Sequence, residues 1–148
     1  MNENDLPDDA HVVHYVKFTD RHEDGSVDGS AFRLRLGDDG LSVNWLEYFS
    51  DLTKSQQLDE VRRLSRLTMR RSGRLAELGV GPTKQHDSGE LTALRFVHKP
   101  LAAGNGYEAD PSHSEIIGLP QGDSPQAALI GDLIAECIQA IHPAIVDG

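Results

Sequence analysis

His11-Val12-Val13-His14-Tyr15-Val16-Lys17-Phe18 puts Val12, His14, Val16 and Phe18 on one side and His11, Val13, Tyr15 and Lys17 on the other. A side-chain period of two in a run rich in valine and aromatics is the pattern of a β-strand. The same alternation recurs outward from it. Residues 31–36 alternate Phe32, Leu34 and Leu36 with Arg33 and Arg35, which predicts a second strand with the arginines outward. Gly37-Asp38-Asp39-Gly40 reads as a turn. Residues 41–49 predict a short strand running into a helical turn, and residues 75–80, 91–99 and 113–119 are further strands. Residues 20–29, rich in Asp, Gly and Ser, and residues 102–112, with Gly104-Asn105-Gly106 and Asp110-Pro111, read as loops.

Two segments change period. Over residues 54–71, Leu58, Val61, Leu64 and Thr68 gather on one side of a helical wheel, and Arg62, Arg63, Arg66 and Arg70 on the other. Near the end of the chain, Asp123 or Ser124 caps a helix with Pro125 in its first turn. Its apolar face, Leu129, Ile130, Leu133, Ile134, Cys137, Ile138 and Ile141, runs to a stop at Pro143, with His142 in the last turn. Strands and helices in this order predict an α+β fold: a mainly antiparallel sheet of about five strands with two principal helices on one face. Residues 1–10, acidic and polar, predict a flexible arm, and residues 11–148 a single domain.

At 148 residues with 38% hydrophobic and 26% charged residues, the composition is that of an ordinary globular domain. No run of 18 apolar residues predicts a membrane span, and the acidic start is unlike a secretory leader, so cytoplasmic residence is the expectation. The lone Cys137 excludes an internal disulfide and any cysteine-rich zinc site. Charge is segregated: Lys54, Arg62, Arg63, Arg66, Arg70, Arg71 and Arg74 stand against only Asp59 and Glu60, in a chain whose formal net charge is −10. Such polarity predicts a charged partner or a chain whose acidic parts fold onto its basic stretch.

The catalytic motifs are incomplete. His113-Ser114-Glu115 has the His-x-Glu start of a zinc deaminase but no following Cys pair, so that metal site cannot form. His98, His113 and Glu115 could act as acid, base or metal ligands if they converge, although the spacing is a weak metal signal; no cofactor is implied. Asp20-x-His22-x-Asp24-Gly25-x-x-Asp28 follows part of a calcium loop but has Ala31 where the bidentate Glu belongs. No glycine cluster fits a phosphate-cradling motif, and no nucleophile elbow supports a Ser-His-Asp triad. Cys137, on an apolar helix face, reads as buried and unreactive, and His14 and His98, on apolar strand faces, as hydrogen-bonded core histidines.

Ala31-Phe32-Arg33-Leu34-Arg35, the run from Leu41 through Phe49, and Asp110-Pro111-Ser112-His113-Ser114-Glu115-Ile116 resemble a family of small uncharacterised bacterial proteins. The resemblance implies a bacterial cytosolic protein and brings no catalytic residue with it. The function expected first is a non-enzymatic accessory or interaction module of a bacterial multi-protein system. It would dock an acidic protein partner, or less favourably a phosphate backbone, through the arginines of the basic helix. The alternative is a small enzyme acting on a phosphorylated or nucleotide-like substrate, with Arg33 and Arg35 as anion clamps and His98, His113 and Glu115 as the chemistry. An acidic mimic of DNA is a third reading, weakened by the clustered cations.

Overall fold

The computed structural model describes residues 4–146. Among them six strands form one antiparallel sheet: β1 (His11–Val16), β2 (Gly40–Trp45), β3 (Arg74–Gly79), β4 (Arg95–His98), β5 (His113–Ile117) and β6 (Ala140–Pro143), in the spatial order β4-β5-β2-β1-β3-β6. The helices are α1 (Lys54–Leu64), the single turn α2 (Val80–Lys84) and α3 (Pro125–Glu136). The α+β class and the antiparallel sheet are as the sequence predicts. The alternating segment at residues 11–18 is an inner strand, hydrogen-bonded to β2 on one side and β3 on the other.

The pleat of β1 explains why both of its sides are apolar. Val12 and Val16 join Leu41, Val43, Ala76, Leu78, Phe96 and Ile116 in a core closed by Ile130 and Ile134 of α3. Val13 faces the other way, into a second core with Leu75, Leu46 and Leu58 and Val61 of α1. The two principal helices therefore take opposite faces of the sheet, not one face as the sequence suggested. A sheet covered on both sides needs apolar residues at successive positions of its inner strands.

Three elements depart from the sequence reading. Residues 31–36 are not a strand. Asp28 accepts the Ser30 amide proton at 2.9 Å and caps a 3-10 turn, Gly29–Phe32, so a local side-chain bond replaces the ladder. Phe32 and Leu34 are buried as expected, whereas Leu36 is 79% exposed. α1 begins as a capping box, with Thr53 and Gln56 bonding each other's backbone amides, but ends at Leu64. Ser65 turns extended and its hydroxyl accepts the Leu67 amide, which draws the chain out of the helix. α3 starts as predicted, with Ser124 capping the Ala127 amide, but ends at Glu136, with Cys137 as its C-cap. Residues 140–143 become an edge strand on β3, placing Ile141 opposite Ala76 and His142 opposite Leu75. His142 is therefore not a helix-terminal residue.

Nor is residue 4 onward a free arm. Asp5 bridges Val97 at the edge of β4, the Leu6 amide donates to the Phe96 carbonyl at 2.8 Å, and Leu6 and Ala10 are buried in the core. Residues 1–3 of the predicted arm lie outside the described residues. No helix among the described residues is long and apolar enough to cross a membrane.

Candidate functional site

The pleat separates the predicted acid/base set. In the β4–β5 register His98 lies opposite Ser114, and Val97 opposite Glu115. Alternation then puts His98 on the α3 side of the sheet and His113 with Glu115 on the α1 side. His98 is held by the Pro111 carbonyl at 2.6 Å and sits edge-on to Trp45, with its ring 5.6 Å from that of Tyr48. Glu115 is ion-paired with Lys99 at 3.1 Å. The three cannot meet in one pocket, and among the described residues no group of three His, Cys, Asp or Glu side chains is placed to share a metal ion. The carboxylates of the calcium-like loop are engaged locally: Asp20 and Asp28 accept from Ser30, and Asp24 from Ser26. Those bonds pull the Asp24 and Asp28 carboxyls below their usual range.

The predicted arginine ridge is also broken up. Arg62 bonds Asp59 at 2.8 Å and the Pro143 carbonyl; Arg63 bonds Glu60 at 2.8 Å and Glu108 at 2.5 Å. Arg66, beyond the helix end, donates to the Ala102 and Glu108 carbonyls and lies over the Tyr107 ring at 5.4 Å. These contacts staple α1 to the acidic loop at residues 101–110, so the chain's own segments occupy three of the four arginines. Arg33 and Arg35 do not form a clamp: Arg35 is a solvent-exposed side chain beside Asp38, while the half-buried Arg33 follows the 3-10 turn.

Two features replace these. The first is a cleft of about 130 Å³ on the α1 side of the sheet, between the loop that follows α1 and the loop before β5. Val13, Leu75, Met69 and Leu101 give it apolar walls, and Ser42, Asn44, Asp110 and His113 a polar edge. Asn44 lies directly opposite His113 in the β2–β5 register and donates to both oxygens of the buried Asp110 carboxylate at 3.1 Å. His113 Nδ1 is 2.8 Å from the Lys99 carbonyl, which can only accept. The proton therefore sits on Nδ1, and Nε2 is left to accept from the Ser42 hydroxyl at 3.2 Å. Ser42 and His113 are diagonal cross-strand neighbours, which is how a surface serine reaches a buried histidine.

The second feature is a groove at the end of β1, lined by Tyr15, Lys17, Phe18, Thr68 and Arg70 and sharing Tyr15 with the cleft. Phe18 is 65% exposed there. Arg21 donates to the Ser72 carbonyl at 2.5 Å, and Arg74 to the Arg71 and Gly73 carbonyls at 3.0 and 2.7 Å. Carbonyl partners orient a guanidinium without cancelling its charge. Among the described residues no carboxylate stands within ion-pair reach of Lys17, Arg21, Arg70 or Arg74.

Sequence reasoning placed Lys17 and Phe18 in a strand and missed this groove, because it is formed by segments about fifty residues apart in the chain. Ser42, Asn44 and Asp110 were missed as well; the signal that could have found the first two is polar residues two apart on a strand otherwise apolar. Compared with protein-family models, curated proteins and solved structures, the chain matches none.

Proposed function

We propose that this protein is an interaction module of a bacterial, cytoplasmic multi-protein system, and that it docks an acidic segment of a protein partner in the groove between Tyr15, Phe18 and Arg70. The observation that carries the reading is the contrast among the arginines. Those of α1 are neutralised or tied down within the chain, whereas Lys17 and Arg70 line the groove beside the exposed Phe18 with no carboxylate among the described residues within ion-pair reach. Exposed aromatic surface rimmed by uncompensated cations suits a short peptide carrying carboxylates and one apolar anchor. The bacterial and cytoplasmic parts of the reading rest on the sequence resemblance and the single cysteine.

A protein segment is favoured over nucleic acid because the remainder of the chain is strongly acidic. A long polyanion would overrun the basic patch and meet that field within about 10 Å, the screening distance at ordinary salt. The test is fluorescence anisotropy with a labelled Glu-rich peptide containing one Phe, titrated with the wild-type chain and two variants. Binding should weaken with added salt and be lost in Lys17→Glu/Arg70→Glu, but survive in Arg63→Glu, whose guanidinium is already paired. Equal affinity in the groove variant and the wild type, or tighter binding of a single-stranded oligonucleotide than of the peptide, overturns the reading.

A further inference from the structure

We infer that Ser42 is a nucleophile, with His113 as its general base, and that the adjoining cleft accepts small uncharged carboxylic esters with a short apolar acyl group. The inference stands apart from the docking groove and does not depend on it.

Three observations converge. Ser42 is an exposed residue that lines the cleft, while its partner His113 is only 9% exposed. The Lys99 carbonyl orients the imidazole from behind at 2.8 Å and dictates the tautomer in which Nε2 is free to take the serine proton. Nucleophile, base and orienting acceptor in series is the arrangement that makes a serine reactive, and a backbone carbonyl fills the orienting role that a carboxylate fills in the familiar triads. Val13, Leu75 and Met69 give the same cleft apolar walls against which an acyl group would sit.

The lining decides the substrate's charge. Asp110 lines the cleft, and Glu115, the register partner of Ser42, is ion-paired with Lys99. Arg66 lines it too, its Nη2 directed at the Ala102 and Glu108 carbonyls. With one carboxylate and one guanidinium the lining carries no surplus positive charge for a phosphate, and its walls are mostly apolar, so a neutral ester suits the cleft better than the phosphorylated substrate of the alternative reading.

The chemistry closes with water as co-reactant. Ser42 Oγ forms a bond to the ester carbonyl carbon as its proton passes to His113 Nε2. The tetrahedral adduct collapses with cleavage of the ester C–O bond, and the leaving oxygen takes the proton from Nε2 to depart as an alcohol. Water then adds to the acyl-serine, giving its proton to Nε2. The acyl–Oγ bond breaks, Oγ recovers that proton, and a carboxylic acid leaves.

The test is covalent labelling with a fluorophosphonate probe, the modified residue located by peptide mass spectrometry, alongside release of p-nitrophenol from p-nitrophenyl butyrate. Label should appear on Ser42, vanish in Ser42→Ala, and form about 100-fold more slowly in His113→Gln. Because His113→Gln can disturb folding, Ser42→Cys supplies a second reading: the introduced thiol should be alkylated by iodoacetamide below the pH at which ordinary thiols react, as expected beside an imidazole. Probe carried on another residue, no label at all, or an introduced thiol with an ordinary pH profile overturns the inference. Lys17→Glu/Arg70→Glu should label as the wild type does, which keeps failure of the docking reading distinguishable.

Discussion

Replacing Lys54 by methionine should cost about 2 kcal/mol of stability at neutral pH and nearly nothing in acid. Glu77 projects from β3 toward α1 with its side chain only 4% exposed, receiving Lys54 Nζ at 2.7 Å and His142 Nε2 at 2.8 Å. One buried carboxylate thus joins α1, β3 and the edge strand β6. Stripping one partner from a fully buried pair costs roughly 3–5 kcal/mol. Lys54 is 47% exposed, so water replaces part of its contribution, and His142 remains, which brings the figure to about 2 kcal/mol. For a chain of this size the melting midpoint should fall by about 4–8 °C. The pH dependence follows from the direction of the Glu77 shift. Burial alone would raise its pKa, but the bonds from Lys54 and His142 outweigh it and hold the carboxyl below its ordinary 4.5. A depressed carboxyl stabilises the fold above its unfolded value and loses that contribution as pH falls through the folded one. In Lys54→Met burial is less opposed, the carboxyl rises, and the variant gives up less on acidification. Thermal unfolding followed by circular dichroism at about pH 7 and about pH 4 should show the gap between variant and wild type closing. Replacing both groups, as in Lys54→Met/Glu77→Leu, should restore most of the loss because no uncompensated buried charge remains. A gap that is the same at both pH values, or a variant as stable as the wild type near pH 7, refutes the reasoning.

Other expectations test the packing directly. Gly131→Ala, which would stabilise an ordinary helix, should destabilise this one by about 1–3 kcal/mol in urea unfolding, because a Cβ there would stand 2.4 Å from the Gly29 carbonyl oxygen, a backbone atom; a gain in stability would mean α3 does not cross the Gly29–Phe32 turn so closely. Leu6→Ala should cost about 2–5 kcal/mol in the same assay, as for a core leucine, whereas a flexible arm would leave the midpoint unchanged. His14, lodged between the Ser42 and Ala31 carbonyls at 2.8 and 2.7 Å, is pushed by burial below the ordinary histidine value of 6.5 despite those acceptors and the charge of Asp20. Its imidazole shifts in an NMR titration should move only below that pH. Being depressed, it should also make stability decline as pH falls from 6.5; a midpoint above that value contradicts the burial argument.

What was legible in the chain is what depends on neighbours a few residues away. Alternation marked β1, and the strand segments expected at residues 41–49, 75–80, 91–99 and 113–119 overlap β2, β3, β4 and β5; the Ser124 cap with Pro125 marked the start of α3. The α+β class followed from those periods. Local pattern misled where two structures share one pattern. Phe32 and Leu34 are buried by a capped turn as well as they would be by a strand. Ile138 and Ile141 extend a helical stripe on paper, yet they follow the helix because Ala140–Pro143 finds the open edge of β3.

By itself the sequence determined the inner strands, the helix starts and the concentration of positive charge, since each is written in side-chain period, capping chemistry and composition. Which face each helix covers, where α1 stops, which arginines are neutralised by Asp59, Glu60 and Glu108, and that Ser42 meets His113 were decided only in three dimensions. The physical reason is range: hydrogen bonds and ion pairs act over a few ångströms, and the partners of Arg62, Arg63 and His113 lie up to 81 residues away in the chain, brought together by register and pleat.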